Sequence, residues 1–147
     1  MQIMNAGERH VFVYGTLRKG GANDITQLAP APRFVGGGAI WGTLYHLGAY
    51  PGLVLGGAAT GVARSAVVGE VYFISRALER RLDEIEGLYP SPNGEYIKRE
   101  VSVEVAGNRV VCIVYEITSS QVKNKQVITS GDWLQHLSST GSRWSPE

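Results

Sequence analysis

Glycine is the residue that most constrains the fold of this chain. It supplies 19 of the 147 residues, which is about 13%, where an average protein has roughly 7%. These glycines are spread among apolar segments and form no low-complexity tract. The pattern is typical of many tight turns and of places where two backbones approach closely.

Five segments are rich in β-branched or aromatic residues and are bounded by turn residues, which is typical of strands. Regular strand–helix alternation is absent, and this argues against a doubly wound parallel sheet. We expect an α+β domain with one main helix and a small mixed sheet of five to seven strands that resembles a β-barrel. The predicted strands are His10–Tyr14, Phe34–Gly48 with a bulge, Val67–Ile74, Tyr96–Val105 and Arg109–Thr118, with turns at Tyr50–Gly52 and Gly107–Asn108.

One stretch is convincingly helical. Ser75 is placed to cap its N-terminus, and Leu78, Leu82 and Ile85 recur at the spacing of a single helix face. Gly87 is placed to end the helix.

Length and composition predict a single domain over residues 1–147, with its core at about 10–135. The formal net charge is only +1, so we expect neither nucleic acid nor a membrane surface as a partner. The longest apolar run, Val110–Tyr115, is too short to span a bilayer, and Met1–Arg9 holds no apolar signal-peptide core. We therefore expect a cytoplasmic location, and we expect the last residues, Ser138–Glu147, to be frayed.

The loop after the first strand is a candidate binding segment. Gly15 and Thr16 follow a strand that looks buried, and they offer backbone N–H groups with little steric cover. Such groups can bind a carboxylate, a phosphate or a developing oxyanion. An ordinary strand-ending turn explains the same residues.

Glu86 is the second candidate, because of its place on the predicted helix. At roughly 100° per residue, it lies about 70° from the centre of the apolar stripe at Leu78. Asp83 and Glu84 lie about 130° away, toward water. Partial burial and the helix C-terminus should both raise the pKa of Glu86 toward that of a general base. The alternative is a half-exposed acid without a catalytic role.

Other chemistry-bearing residues point less clearly to a site. His10, His46 and His136 share no metal-ligand spacing, so no metal site is predicted. Cys112 is the only cysteine, which excludes an intrachain disulfide. Its apolar neighbours make it a core residue rather than a nucleophile.

Two dipeptides and the tyrosines are not assigned to the catalytic chemistry. Arg18–Lys19 reads as a solvated rim that could attract an anionic substrate, and Asp132–Trp133 reads as a clasp that docks the C-terminal segment. Most of five tyrosines are expected to line the barrel wall, with hydroxyls that reach a partner; they are Tyr14, Tyr45, Tyr72, Tyr96 and Tyr115.

Several segments, taken in order, make the chain resemble a known family. Val11–Arg18 reads Val-Phe-Val-Tyr-Gly-Thr-Leu-Arg, which resembles the opening signature of the γ-glutamylcyclotransferase-like family. That family includes γ-glutamylamine cyclotransferases and AIG2-like plant proteins. Each motif is weak alone, but the motifs in this order are fairly specific. The others are Gly42–Tyr45 with Tyr50–Gly52, Val68–Tyr72 with Leu82–Gly87, and Tyr96–Arg99 with Ser130–Trp133.

The resemblance implies a small mixed barrel-like α+β fold and an enzyme that releases 5-oxoproline from a γ-glutamyl compound. It implies that the loop Tyr14, Gly15, Thr16 and Leu17 holds the glutamyl moiety and that Glu86 is the catalytic acid. We expect no metal and no organic cofactor, and we expect a small γ-glutamyl molecule as the partner of a monomer or weak homodimer.

The leaving amine stays open at this point. A γ-glutamyl-lysine, a γ-glutamyl-polyamine, a γ-glutamyl amino acid and a γ-glutamylated biosynthetic intermediate all fit the resemblance. The alternative function is a non-catalytic module of the same fold that binds a small acidic metabolite, with Glu86 as a structural acid.

Overall fold

The computed structural model describes residues 9–56 and 65–141. Within these ranges the chain forms seven strands, two α-helices and two short 3₁₀ helices, Ile25–Gln27 and Ser119–Val122. Neither α-helix in the described residues has the length and apolar character needed to cross a membrane. The elements are β1 Arg9–Val13, β2 Arg33–His46, β3 Pro51–Leu55, β4 Ser65–Ile74, α1 Arg76–Ile85, β5 Tyr96–Val105, β6 Asn108–Ile117, β7 Gln126–Val127 and α2 Trp133–Gly141.

The strands form one mixed sheet in the order β3-β2-β4-β1-β6-β5, with the short β7 paired to β2. Within the described residues only β1 and β6 pair in parallel; all other pairs are antiparallel. The alternating apolar pattern of β5 matches its antiparallel partner β6, as predicted.

The sheet curls until its two ends meet. A side-chain carbon built on Gly52 of β3 would lie 2.8 Å from Ile117 of β6, and one built on Gly36 of β2 would lie 2.6 Å from Val105 of β5. The predicted bulge in β2 falls between Phe34 and Gly36. The glycines therefore serve the close approaches that the composition indicates, and the fold is the curled α+β half-barrel expected from the sequence.

The core fills both faces of the central strands. Successive residues of β1 point to opposite sides, so Val11 and Val13 join one apolar cluster and Phe12 joins the other. The first cluster packs under α1 through Leu78 and Leu82. This two-sided burial explains why the buried part of β1, Val11–Val13, is continuously apolar rather than alternating.

The ends of α1 follow the sequence prediction, whereas α2 was not predicted. The Ser75 hydroxyl accepts a hydrogen bond from the backbone N–H of Leu78 at 3.1 Å. The expected fraying of Ser138–Glu147 is wrong for residues 138–141, which belong to α2. Residues 142–147 lie outside the described residues, as do residues 1–8 of the Met1–Arg9 segment.

Two turn predictions need correction. The β5–β6 turn is Ala106–Gly107 rather than Gly107–Asn108, because Asn108 already pairs with Val105. Both turn residues have positive φ, as a type I′ turn requires. Of the predicted turn Tyr50–Gly52, only Tyr50 precedes the strand, because Pro51 and Gly52 already belong to β3 and pair with β2.

Arg18 is not a solvated rim residue, which corrects the sequence interpretation. Its side chain is only 12% exposed, and its guanidinium contacts Glu70 of β4 at 2.7 Å and Asp132 at 2.9 Å. Lys19 is exposed, as expected. Asp132 also accepts from the backbone N–H of Gln135 in α2, so the guanidinium ties the loop after β1 to the sheet and to α2.

The interpretation of Asp132–Trp133 as a clasp is confirmed. Trp133 is 1% exposed and packs in the second apolar cluster. Just before it, the carbonyl of Gly131 accepts from the backbone N–H of Val68 at 2.8 Å. The C-terminal helix is thereby anchored to the sheet at its first residues.

We predict that Arg18→Met lowers the free energy of unfolding by about 2 kcal/mol, because two partly buried carboxylates lose their cation. Chemical denaturation measures the change. Lys19→Met is the matched control and should change stability by less than about 0.5 kcal/mol. Equal losses in both variants would contradict a structural role for the Arg18 guanidinium.

Candidate active site

A cavity of about 220 Å³ opens where β1, β3, β5 and α1 meet. The structure brings all five site residues predicted from the sequence to this one cavity: Tyr14, Gly15, Thr16, Leu17 and Glu86. Its wall also contains residues that sequence reasoning did not assign to a site, among them Ala22, Asn23, Tyr50, Pro51, Glu95, Tyr96 and Tyr115.

The loop after β1 lines the cavity with residues whose backbone N–H groups are not used within the described part of the protein. In the part of the chain that the structure describes, the N–H groups of Gly15, Thr16 and Leu17 have no intramolecular acceptor. The loop is nevertheless held firmly. The Asn23 N–H donates to the Thr16 carbonyl at 2.8 Å, and the Asn23 amide donates to the Thr16 hydroxyl at 3.1 Å. Three adjacent N–H groups on a fixed loop can bind a carboxylate or stabilise an oxyanion.

Tyr14 and Leu17 contribute less than their side chains suggest. The Tyr14 hydroxyl donates to the Tyr115 carbonyl at 2.6 Å and accepts from the Leu53 N–H at 3.2 Å. It therefore fastens β1 to its neighbours and is not available to a ligand. The Leu17 side chain is 4% exposed and belongs to the core. Leu17 can therefore contact a ligand chiefly through its backbone, and Tyr14 through its backbone and the face of its ring.

Glu86 is fixed by the way α1 ends. It is the C-terminal capping residue, and its N–H donates to the Leu82 carbonyl at 2.9 Å. Gly87 adopts the left-handed conformation with φ 79°, and Leu88 N–H closes back on the Asp83 carbonyl at 2.7 Å. This is a Schellman motif, which requires glycine at position 87 for its positive φ. The backbone of Glu86 is thereby set beside the cavity.

The Glu86 carboxyl is only partly exposed, and no group within residues 9–56 and 65–141 forms a hydrogen bond with it. Burial raises its pKa to about 7, and the nearby negative charge of Glu95 adds to the increase. The predicted effect of burial is therefore present. The second cause of the raised pKa is the charge of Glu95, 9 positions further along the chain, and not the helix C-terminus that the sequence suggested.

Glu95 and Tyr50 form a second polar feature of the cavity. The Tyr50 hydroxyl donates a short hydrogen bond to the Glu95 carboxylate, and this bond raises the pKa of Tyr50. The Glu95 backbone is anchored by its N–H on Asn93 and by its carbonyl, which accepts from Thr118. No local sequence signal distinguishes Glu95, because its role depends on the approach of β3 to β5.

The remaining tyrosines of the wall use their hydroxyls in hydrogen bonds within the protein. Tyr96 donates to the Pro51 carbonyl at 2.8 Å, and Tyr115 donates to Asp83 at 2.7 Å. Burial raises the pKa of both phenols far above the ordinary value. They form the rigid aromatic wall expected from the sequence and are not acid–base groups at neutral pH.

The other chemistry-bearing residues lie away from the cavity wall. Cys112 is buried in the second apolar cluster, and burial raises the pKa of its thiol to about 11, which confirms it as a core residue. His46 and His136 contact each other at 3.2 Å between Nδ1 and Nε2, although they are far apart in the sequence.

The cavity therefore combines two chemical abilities. A carboxyl group with a pKa near neutrality can both accept and return a proton, and the adjacent loop offers amide donors for an anion.

Comparison with known proteins agrees with this architecture. The family model described as "Gamma-glutamyl cyclotransferase, AIG2-like" matches residues 11–135. A Vibrio cholerae serotype O1 protein named "Putative gamma-glutamylcyclotransferase" is 32% identical over 135 residues, covering 86% of this chain and 96% of its own.

Solved structures show the same fold. An AIG2-like protein from Mus musculus superposes with a TM-score of 0.59 at 26% identity, covering 77% of this chain and 78% of its own. YkqA from Bacillus subtilis gives a TM-score of 0.68 at 25% identity; the match covers 92% of this chain but spans only 43% of YkqA. The match over residues 11–135, together with the Vibrio relative, places this chain in the γ-glutamyl cyclotransferase, AIG2-like family.

Proposed function

We propose that the protein is a γ-glutamyl cyclotransferase that releases 5-oxoproline and a free amine from a γ-glutamyl amide. The observation that carries this proposal is the meeting of the Glu86 carboxyl and the amide donors of Gly15, Thr16 and Leu17 in one cavity. The family of the chain supports the same reaction class.

The proposed reaction is an intramolecular acyl transfer. Glu86 takes a proton from the substrate's α-ammonium group, because only the free amine is a nucleophile. The amine nitrogen then attacks the γ-carbonyl carbon and forms the ring C–N bond. When the tetrahedral intermediate collapses, the original amide C–N bond breaks, and the protonated Glu86 carboxyl gives its proton to the departing nitrogen. The regenerated carboxylate then takes the second proton from the ring nitrogen and passes it to the amine, which leaves as an ammonium ion.

A pKa near 7 suits both proton transfers of the proposed reaction, the one from the substrate and the one to the departing amine. An ordinary glutamate would be too weak a base to deprotonate an ammonium group efficiently. With a pKa of about 7, the carboxyl of Glu86 exchanges protons readily at neutral pH in either direction.

The loop after β1 supplies the anion binding that the reaction needs. The substrate carries an α-carboxylate and develops an oxyanion at the γ-carbon. The donors at Gly15, Thr16 and Leu17 are already oriented by the fold, so little reorganisation accompanies charge development. A cavity of about 220 Å³ also folds a flexible glutamyl chain back on itself, and such alignment contributes roughly 7–11 kcal/mol in well-oriented intramolecular reactions.

The state of Glu86 favours an enzyme over a non-catalytic binding module. A binding module for an acidic metabolite has no use for a carboxyl group that points into the cavity without a cation or donor beside it, because that group repels the ligand. An acid–base catalyst requires such a group.

We predict that Glu86→Gln folds but loses at least about 10³-fold in kcat, because the amide neither accepts nor returns the proton. The assay follows 5-oxoproline release from a γ-glutamyl amide by chromatography. Glu84→Gln, on the exposed side of the same helix, is the matched control and should keep the parent rate. Full activity in Glu86→Gln would remove Glu86 from the mechanism.

We predict that kcat/KM falls about tenfold per pH unit below a midpoint near pH 7, because the base must be deprotonated and burial raises the pKa of Glu86 to about 7. Initial rates between pH 5 and pH 9 at low substrate concentration measure the midpoint. Glu84→Gln should leave the profile unchanged. An acidic limb near pH 4.5, the ordinary value for glutamate, would contradict the assignment.

We predict that Glu86→Gln is more stable than the parent protein above pH 7. The pKa of Glu86 is higher in the folded state than in the unfolded chain, so the parent loses stability as pH rises from 4.5 through about 7. The neutral amide avoids that loss, which amounts to about 3 kcal/mol at most. Urea denaturation of both proteins at pH 4 and pH 8 tests this prediction. If the substitution raised the free energy of unfolding equally at both pH values, burial of a charged carboxylate would not be the cause.

A further inference from the structure

We propose that Glu95, assisted by Tyr50, selects γ-glutamyl substrates whose leaving group carries a positive charge. This inference rests on the proposed function, since it concerns the part of the substrate that departs as the amine. It makes Glu95 a specificity-determining residue for the substrate class.

The charge of the cavity wall is the first argument. Among the described residues that line it, two carry carboxyl groups, Glu86 and Glu95, and none is lysine, arginine or histidine. A leaving group with its own carboxylate would enter a site with no cation to meet it. A leaving group with an ammonium would find a carboxylate.

The state of Glu95 is the second argument. Apart from Glu86, the other partly buried acids of the sheet and helix form ion pairs within the described residues, for example Glu79 with Arg9 and Lys98, and Glu70 with Arg18. Glu95 has no ion pair in the same ranges; its side-chain partner is the neutral Tyr50 hydroxyl. That bond fixes the carboxylate and leaves its charge uncompensated, so a cationic ligand would complete the site.

The neighbouring rings are the third argument. The Tyr50 and Tyr96 rings lie 6.4 Å apart at 52° and both line the cavity beside Glu95. Aromatic faces attract ammonium groups, and the Glu95 carboxylate beside these rings supplies the opposite charge. Glu86, at the end of α1, then stays available to take the proton from the attacking α-amine.

The test uses three γ-glutamyl amides with the same four-methylene chain. The amide of putrescine ends in an ammonium group, that of n-pentylamine in a methyl group, and that of 5-aminopentanoic acid in a carboxylate. We expect kcat/KM to be about tenfold higher for the ammonium than for the methyl compound, and lowest for the carboxylate. In Glu95→Gln the ammonium-to-methyl ratio should fall to about one.

The ratio isolates the leaving group, because any change that Glu95→Gln causes in Glu86 affects all three compounds alike. If Glu95 held the substrate's α-ammonium instead, the ratio would stay as in the parent protein, which would overturn the inference. Glu104→Gln, an exposed acid on the same strand, is the matched control and should keep the parent ratio.

A binding measurement separates this inference from the proposed reaction. Calorimetric titration of the three compounds into Glu86→Gln, with and without Glu95→Gln, needs no turnover. A Glu95-dependent preference for the ammonium compound supports the inference even if no compound is cyclised by the parent protein. Equal affinities for all three compounds overturn it, whether or not the parent protein is active.

Discussion

The candidate site depends on one electrostatic constraint: the Glu86 carboxyl is kept partly out of water, beside another carboxylate, and without a hydrogen-bond donor among the described residues. Each condition disfavours the charged form. A carboxyl group in this state destabilises the folded protein at neutral pH, so the rest of the structure must hold it in place. The Schellman motif at Gly87 and the packing of Leu78 and Leu82 under the sheet do so.

The curled sheet explains why the reactive groups meet. Loops after β1, before β3 and before β5, together with the end of α1, converge at one rim of the half-barrel. Arg18 joins the first of these loops to β4 and α2, and the Tyr14 hydroxyl joins β1 to β3 and β6. The donors at Gly15, Thr16 and Leu17 are therefore carried on a rigid frame, which electrostatic catalysis requires.

The sequence predicts the parts of this site that depend on local geometry. The helical period alone places Glu86 at the edge of the buried face, and Ser75 and Gly87 mark the helix ends, because capping is a local interaction. The β5–β6 turn begins one residue earlier than the sequence predicts because Ala106 adopts a positive φ of 51°, which alanine rarely does. The helix α2 is not predicted because its start depends on the contact of Asp132 with Arg18 in the loop after β1 and on the packing of Trp133 against the sheet.

Glu95 and Tyr50 could not be assigned from the sequence for a similar reason. Their short hydrogen bond joins residues 45 positions apart and exists only because the sheet closes. Cytoplasmic location and the oligomeric state stay predictions from the sequence. Functional residues can be found in the sequence when their own helix or turn determines their surroundings. They cannot be found when their surroundings form only as the sheet closes.

The most direct test of the central claim is the titration of the Glu86 carboxyl itself. Glutamate labelled with ¹³C at the side-chain carboxyl gives one resonance per residue, and Glu86→Gln identifies the one that matters. The account predicts a midpoint near pH 7, shifted to lower pH when Glu95 is replaced by glutamine. A midpoint near 4.5, unchanged in Glu95→Gln, would show that Glu86 is an ordinary solvated acid and would contradict the account.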